Sequence, residues 1–398
     1  MDYNNLISKR LGGKYFYQTN YYKFEKYSNI KNQFKNQNPD IEVLDFGIGE
    51  GDDMPSSHIL NRLSYESFKH ENRIYSDNGI DLFRLSASKH LKDIYSLNIK
   101  NPLTQITHIM GAKSALSIIP IAFINDNDIV ITTTPGYQVL SNMSNWLNAK
   151  IYNVPLLEEN NFLPDLDSID ENIYKQCKIF IVNYPNNPTG AIATKEFYQK
   201  LINLAIKYNF LVINDCAYGP FSYKNKPLSI MSVDNAFDCA VEIHTLSKAY
   251  NMTGMRIGFI VGNEQFIDIF KKVKDNIDSG QYIPIQLAAC EAYDNCISYL
   301  NDLKNKYYNR MRKISLILNK YNLKSKVSPG TFYLYIKVPE RFNNADTFTR
   351  YLLEKCGIFT IPFDEVTPYV RLSMTYKIKT TEEDFYKELE KRLSNLSS

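Results

Sequence analysis

The chain has 398 residues, 44% of them hydrophobic and 22% charged, with 46 Lys and Arg against 43 Asp and Glu for a net charge of +3. That length exceeds one compact core and fits two domains, while so small a net charge argues against nucleic-acid or membrane partners. Six cysteines without a C-x-x-C pair or a histidine at metal-ligand spacing read as reduced, mostly buried thiols, and no metal site is expected. The start, MDYNNLISKR, lacks the regions of a secretory signal, and no apolar window is long enough to cross a bilayer, so a cytoplasmic protein is expected.

Along the chain, Tyr15, Phe16, Tyr17, Tyr21, Tyr22 and Phe24 form an aromatic arm that covers a site or packs on a partner subunit. From about 105 to 265, short apolar runs alternate with helical patterns, as a mostly parallel α/β sheet requires. Strands are expected over 107–110, 129–133, 179–183, 210–214, 241–244 and 259–261, with helices such as 114–123 and 195–208 between them. The last hundred residues differ: a helical tract over 286–321, strand-like runs over 332–338 and 369–374, and a closing helix capped by Thr381 ahead of Glu382, Glu383 and Asp384. The expected division is an arm and part of a small domain over 1–45, a large domain over 46–285 and a small α+β domain over 286–398.

Several strands run straight into polar motifs, and ligands of such sheets bind where the carboxyl ends of strands meet loops. The densest motif is SKAYNMTGMRIGF, Ser247 to Phe259. Lys248 behind Thr245 and Ser247, with Arg256 following, suits an aldehyde and a phosphate at once. An amine condenses with an aldehyde only when partly unprotonated, a state that burial and neighbouring cations promote. Two hydroxyls and a forked guanidinium meanwhile suit a dianionic phosphate. The combination suggests pyridoxal phosphate.

Other motifs fit the same ligand. Asp215, at the end of the 210–214 strand, is placed to keep a pyridine nitrogen protonated and so make the ring an electron sink; standing alone, it would be read as a helix cap or loop acid. Asn187, in the Pro- and Gly-bounded loop Tyr184 to Gly190, and Tyr218 are candidate donors to the cofactor's phenolate oxygen. Gly111, Ala112 and Lys113 lead into a helix whose free N–H groups form an anion site. Tyr137, after Pro135 and Gly136, is a candidate for stacking on the ring. Arg371 sits inside an apolar run, where a guanidinium needs either a substrate carboxylate or an internal Asp or Glu.

With Lys248, Arg256, Asp215, Tyr218, Asn187, Tyr137 and Arg371 together, the chain resembles the fold-type I, class I and II pyridoxal-phosphate aminotransferases over nearly its full length. The resemblance implies a homodimer with shared active sites, in which Tyr75 reaches the phosphate of the other subunit. It also implies that Gly49 lies beside the substrate carboxylate, and Tyr15 of the arm is a further substrate-side candidate. Within the family, DFGIGEGDDMP, NYPNNPTGA and VEIHTLSKAYNMTGMRIGF, among other stretches, are similar to LL-diaminopimelate aminotransferases. That subgroup implies glutamate as donor, ring-opened tetrahydrodipicolinate as acceptor, and a place in lysine biosynthesis. Lys248 would remove the α-proton and return it one position along. Lys113 would meet the far carboxylate of the two-headed substrate, a phosphate-site or surface role being the alternative.

Two departures from the family pattern bear on specificity. Gly51 follows Glu50 where proline is usual, and Ile361 to Pro368 lacks a glycine-rich loop, so a shorter closing loop is expected. The rivals are an aminotransferase for aromatic, alanine or aspartate substrates, a lyase, decarboxylase or oxidase on the same fold, and a ligand-sensing module. A sensor would need an additional basic helical domain, which the first forty residues do not supply.

Overall fold

Parallel strands covered on both faces must be apolar nearly throughout, and the central runs of this chain obey that rule. The computed structural model describes residues 2–19 and 23–396, so Tyr21 and Tyr22 of the expected arm lie outside the described residues. In chain order the strands are β1 (Leu44–Asp45), β2 (Ile106–Ile109), β3 (Ile129–Thr134), β4 (Lys150–Pro155), β5 (Cys177–Val182) and β6 (Leu211–Asp215). There follow β7 (Ala240–Thr245), β8 (Gly258–Gly262), β9 (Tyr333–Lys337), β10 (Ile358–Phe359), β11 (Ile361–Phe363) and β12 (Tyr369–Ser373).

Seven of these form one sheet in the order β2-β8-β7-β6-β5-β3-β4. All its pairings are parallel except those of β8, which runs against both β7 and β2. That reversal matters for the site. The carboxyl ends of β2, β3, β5, β6 and β7 share one edge, and because β8 is reversed, the residues that precede it, Arg256 among them, arrive at the same edge.

One face of the sheet carries Phe180, Val182 and Val212 against helices that include Lys195–Tyr208 and Ile283–Asn295; the other buries Ile179, Ile181 and Ile213 against Ala112–Phe123 and Glu264–Lys274. A second, three-stranded antiparallel sheet, β11-β12-β9, packs its apolar face on Ile297–Lys320, Ala345–Cys356 and Glu382–Leu393. The short parallel pair β1 with β10 joins the segment before Phe46 to that second body. Thr381 caps the last helix by accepting a hydrogen bond from the Asp384 N–H at 3.1 Å. Among the described residues no helix is long and apolar enough to cross a membrane.

Two elements depart from the sequence reading. The edge strand β4, KIYNVP, has only Val154 buried, so it carries none of the apolar continuity that marks its neighbours. The helical tract near 286–321 is two helices, broken at Cys296, the first starting earlier with Pro284 in its opening turn.

The loop after Gly49 is anchored by a buried charge cluster. Asp52 accepts from Lys306 Nζ and Arg310 Nη1, both at 2.8 Å, and from the Tyr307 hydroxyl at 2.8 Å. Arg310, 3% exposed, also donates to the Met374 carbonyl at 2.6 Å and to Glu382 at 2.7 Å. Burial opposes ionisation of Asp52, but Arg310, Lys306 and Tyr307 together outweigh it and hold its carboxyl below the usual range. Removing one partner of such a pair strands the other's charge, so Asp52→Ala should lower unfolding free energy by about 3 kcal/mol in urea titration. Because the native carboxyl titrates low, the wild-type advantage should persist above the ordinary carboxylate range and fade as pH falls through the native pKa. A variant as stable as wild type at neutral pH would contradict this.

Candidate active site

At the shared edge a cavity of about 270 Å³ opens between the two sheets. Lys248 reaches it from the short helix Leu246–Ala249, whose N-cap is Thr245. Its amine donates to the Gly49 carbonyl at 2.6 Å. Burial pushes its pKa down to about 8, with Glu50 opposing the shift and Arg371 and Arg256 adding to it. Asp215 ends β6 in the same cavity. Burial raises its carboxyl to about 6, against the Ala217 N–H, which it accepts at 3.2 Å, and nearby His244.

The loop from β5 is tied to Asp215 through Asn183, which accepts from the Asn187 N–H at 2.9 Å and donates to the Asp215 carbonyl at 2.6 Å. Asn214 continues the chain of bonds: it accepts from the Tyr184 N–H at 3.1 Å and donates to Glu242 at 2.8 Å. Cys216, Glu242 and His244 have their polar atoms within 4.8 Å of one another. Glu242, however, already pairs with His244 and accepts from Ser229, Ile230 and Asn214, so this group props the sheet edge and does not line the cavity.

Arg371, on β12 and 2% exposed, donates to Asn187 Oδ1 at 2.8 Å and to the Gly47 carbonyl at 3.0 Å. Among the described residues no carboxylate forms an ion pair with it, and its Nε, buried, has no partner. The internal ion pair offered as an alternative is therefore not made among the described residues. Gly49 is close by: a Cβ there would lie 2.3 Å from the Tyr333 hydroxyl and 3.5 Å from Arg371 Nη2.

At the opposite end lie hydroxyls and a second guanidinium. Thr245 Oγ1 and Ser247 Oγ are 2.9 Å apart, and Arg256 Nη1 donates to the Thr253 carbonyl at 2.9 Å. Gly111, with φ of +76°, precedes the helix Ala112–Phe123 and passes so near Arg256 that a Cβ would stand 2.5 Å from Nη2. A side chain would fill this cradle, which a small anion fits. With Lys113, Lys248, Arg256 and Arg371 lining it alongside Asp215, the cavity is net positive, a field that suits anions.

Of the residues singled out from sequence, Lys248, Asp215, Tyr218, Asn187, Tyr137, Ala112, Lys113, Thr245, Ser247, Arg256, Arg371 and Gly49 all line this cavity, with Gly111 at its wall. Tyr15 and Tyr75 do not; they are 51% and 82% exposed. Sequence reasoning assigned no site role to Phe24, Asn183, Ala217, Thr253 or Tyr333, which also line the cavity. Asn183 and Thr253 lie inside stretches that had been singled out and Ala217 sits two residues after Asp215, a signal available beforehand. Tyr333 carries none.

The sequence pattern of aminotransferase class I and II matches residues 41–383. The LL-diaminopimelate aminotransferase of Methanocaldococcus jannaschii is 41% identical over 98% of this chain and 97% of its own length. That of Aquifex aeolicus is 38% identical, covering 84% and 88%. Among solved structures, substrate-bound BacF from Bacillus subtilis superposes with a TM-score of 0.86 at 29% identity, covering 94% of each chain. This fold, with a buried lysine, carboxylate and arginine converging at the carboxyl edge of its sheet, places the chain in the class I and II aminotransferase family.

Proposed function

We propose that the chain uses pyridoxal 5′-phosphate to move an amino group between glutamate and 2-oxoglutarate on one side and LL-diaminopimelate and tetrahydrodipicolinate on the other. The observation that carries this reading is a buried Arg371 with no acid partner among the described residues, facing in one cavity an amine whose pKa is drawn down to about 8. The cofactor supplies an electrophilic aldehyde and a ring that delocalises the charge left when an α-proton departs.

In this reading Lys248 holds the cofactor, then removes the substrate α-proton and returns it. Asp215, whose carboxyl burial raises to about 6, would sit opposite the ring nitrogen and, paired with its positive charge, would stay ionised. Thr245, Ser247, Arg256 and the N–H groups beginning at Gly111 and Ala112 take the phosphate. Tyr218 and Asn187 serve the phenolate oxygen, and Tyr137 covers a ring face. Arg371, beside Gly49, clamps the substrate α-carboxylate and so orients the α-carbon toward Lys248. Lys113, at the first turn of its helix, suits the far carboxylate of a two-headed substrate or the phosphate.

A second copy of the chain completes the site. Tyr75 is 82% exposed, as earlier on the chain Phe68 is 89% and Tyr65 64% exposed, and exposed aromatics of this kind suit a homodimer in which Tyr75 crosses over. Tyr15 and the arm would then lie over the substrate side. Six free cysteines, five of them buried, fit a reducing cytoplasm.

Four measurements test these roles. Lys248→Ala should abolish both the visible absorbance of the cofactor-loaded protein and the formation of glutamate from LL-diaminopimelate and 2-oxoglutarate; retained turnover would refute the assignment. An aromatic or branched substrate faster by a wide margin would remove the diaminopimelate assignment alone. Since only the neutral amine reacts, cofactor loading of the apoprotein should quicken as pH rises through about 8 and then level off; a rate flat across that range contradicts it. Arg371→Lys keeps the charge but loses the fork, so kcat/KM should fall roughly 10- to 150-fold, the equivalent of one charged hydrogen bond. An unchanged kcat/KM would place the carboxylate elsewhere.

A further inference from the structure

One hydroxyl in the cavity has no part in the roles above. Tyr333, 1% exposed, stands on β9 opposite Ser373, and its hydroxyl lies 2.6 Å from that of Tyr218. Its ring packs under the Arg371 guanidinium, 4.2 Å from ring centre to Cζ. Its backbone is pinned as well: the N–H donates to Thr331 Oγ1 at 3.2 Å, and the carbonyl accepts from Ser328 Oγ at 2.5 Å. Gly49 leaves the hydroxyl its room, because any Cβ there would collide with it. The smaller sheet thus delivers one phenol against another with little freedom to turn away.

A hydroxyl carries one proton. Tyr218 can give it to a ligand in the cavity or to Tyr333, but not to both. If Tyr333 is the donor, the Tyr218 proton is free to point into the cavity, and two bonds in series strengthen each other in a dry site. We propose that Tyr333 is a positioning residue whose hydroxyl donates to the Tyr218 oxygen and thereby commits the Tyr218 proton to the phenolate side of the cofactor. This rests on the cofactor reading above. Burial keeps Tyr218 protonated far beyond neutral pH, and the charged groups that face it, Arg371 and Asp215, are untouched when the Tyr333 hydroxyl is removed.

The test uses wild type, Tyr333→Phe, Tyr218→Phe and the double variant, each loaded with pyridoxal phosphate and titrated with pH by visible absorbance. Phenylalanine keeps the ring under Arg371 and removes only the hydroxyl. A donor to the phenolate lowers the pH at which the lysine-bound chromophore loses its proton, so Tyr333→Phe should raise the midpoint by about 0.5 to 1 unit. In the Tyr218→Phe background the same change should move it by less than about 0.2 unit, because the intermediary is gone. A midpoint unmoved by Tyr333→Phe, or moved equally with and without the Tyr218 hydroxyl, overturns the role of Tyr333 alone. Wild-type protein with no visible band would overturn the cofactor reading and this proposal together.

Discussion

A buried guanidinium with two neutral acceptors and, among the described residues, no carboxylate is costly, and the rest of the site is arranged around Arg371. Its fork is held by the Gly47 carbonyl and Asn187, its face by the Tyr333 ring, and one buried N–H is left over. Under the proposed function, a substrate carboxylate meets that deficit and turns an unfavourable feature of the free protein into binding energy directed at anionic substrates. Burial is the main reason that the Lys248 amine is depressed, and the charge of Arg371 adds to it, so the two groups are electrostatically linked.

How residues from so many parts of the chain reach one cavity follows from strand direction. Parallel strands deliver Tyr137, Asn187, Asp215 and Lys248 to one edge, and the reversal of β8 brings Arg256 there from its other end. Hydrogen bonds then fix spacing between neighbouring strands: Asn183 couples the β5 loop to Asp215, and Asn214 couples the same loop to the buried Glu242 and His244 pair. From the other sheet, β12 and β9 contribute Arg371 and Tyr333, so the cavity is lined by residues of both sheets. The Asp52 and Arg310 cluster holds the loop after Gly49 to the smaller of them.

Much of this was legible in the sequence because the motifs adjoin strands. Lys248, Asp215 and Asn187 each follow an apolar run, and a polar residue just past a strand is a local signal that needs no knowledge of distant contacts. Arg371 was legible as a buried cation, but only the structure shows that no acid meets it. Tyr333 was not legible at all. It is one of thirty tyrosines, and its meaning arises from contacts with Tyr218, Arg371 and Gly49 that are far apart along the chain. β4 was lost for the converse reason: an edge strand open to solvent lacks the continuous burial that betrays its neighbours.

The central claim is that one particular amine holds the cofactor by a reversible bond to carbon. Reduction of the loaded protein with borohydride makes that bond permanent, and peptide mapping by mass spectrometry then locates it. The account predicts the cofactor's mass on the peptide that contains Lys248. An adduct on a different lysine, or none, would contradict it.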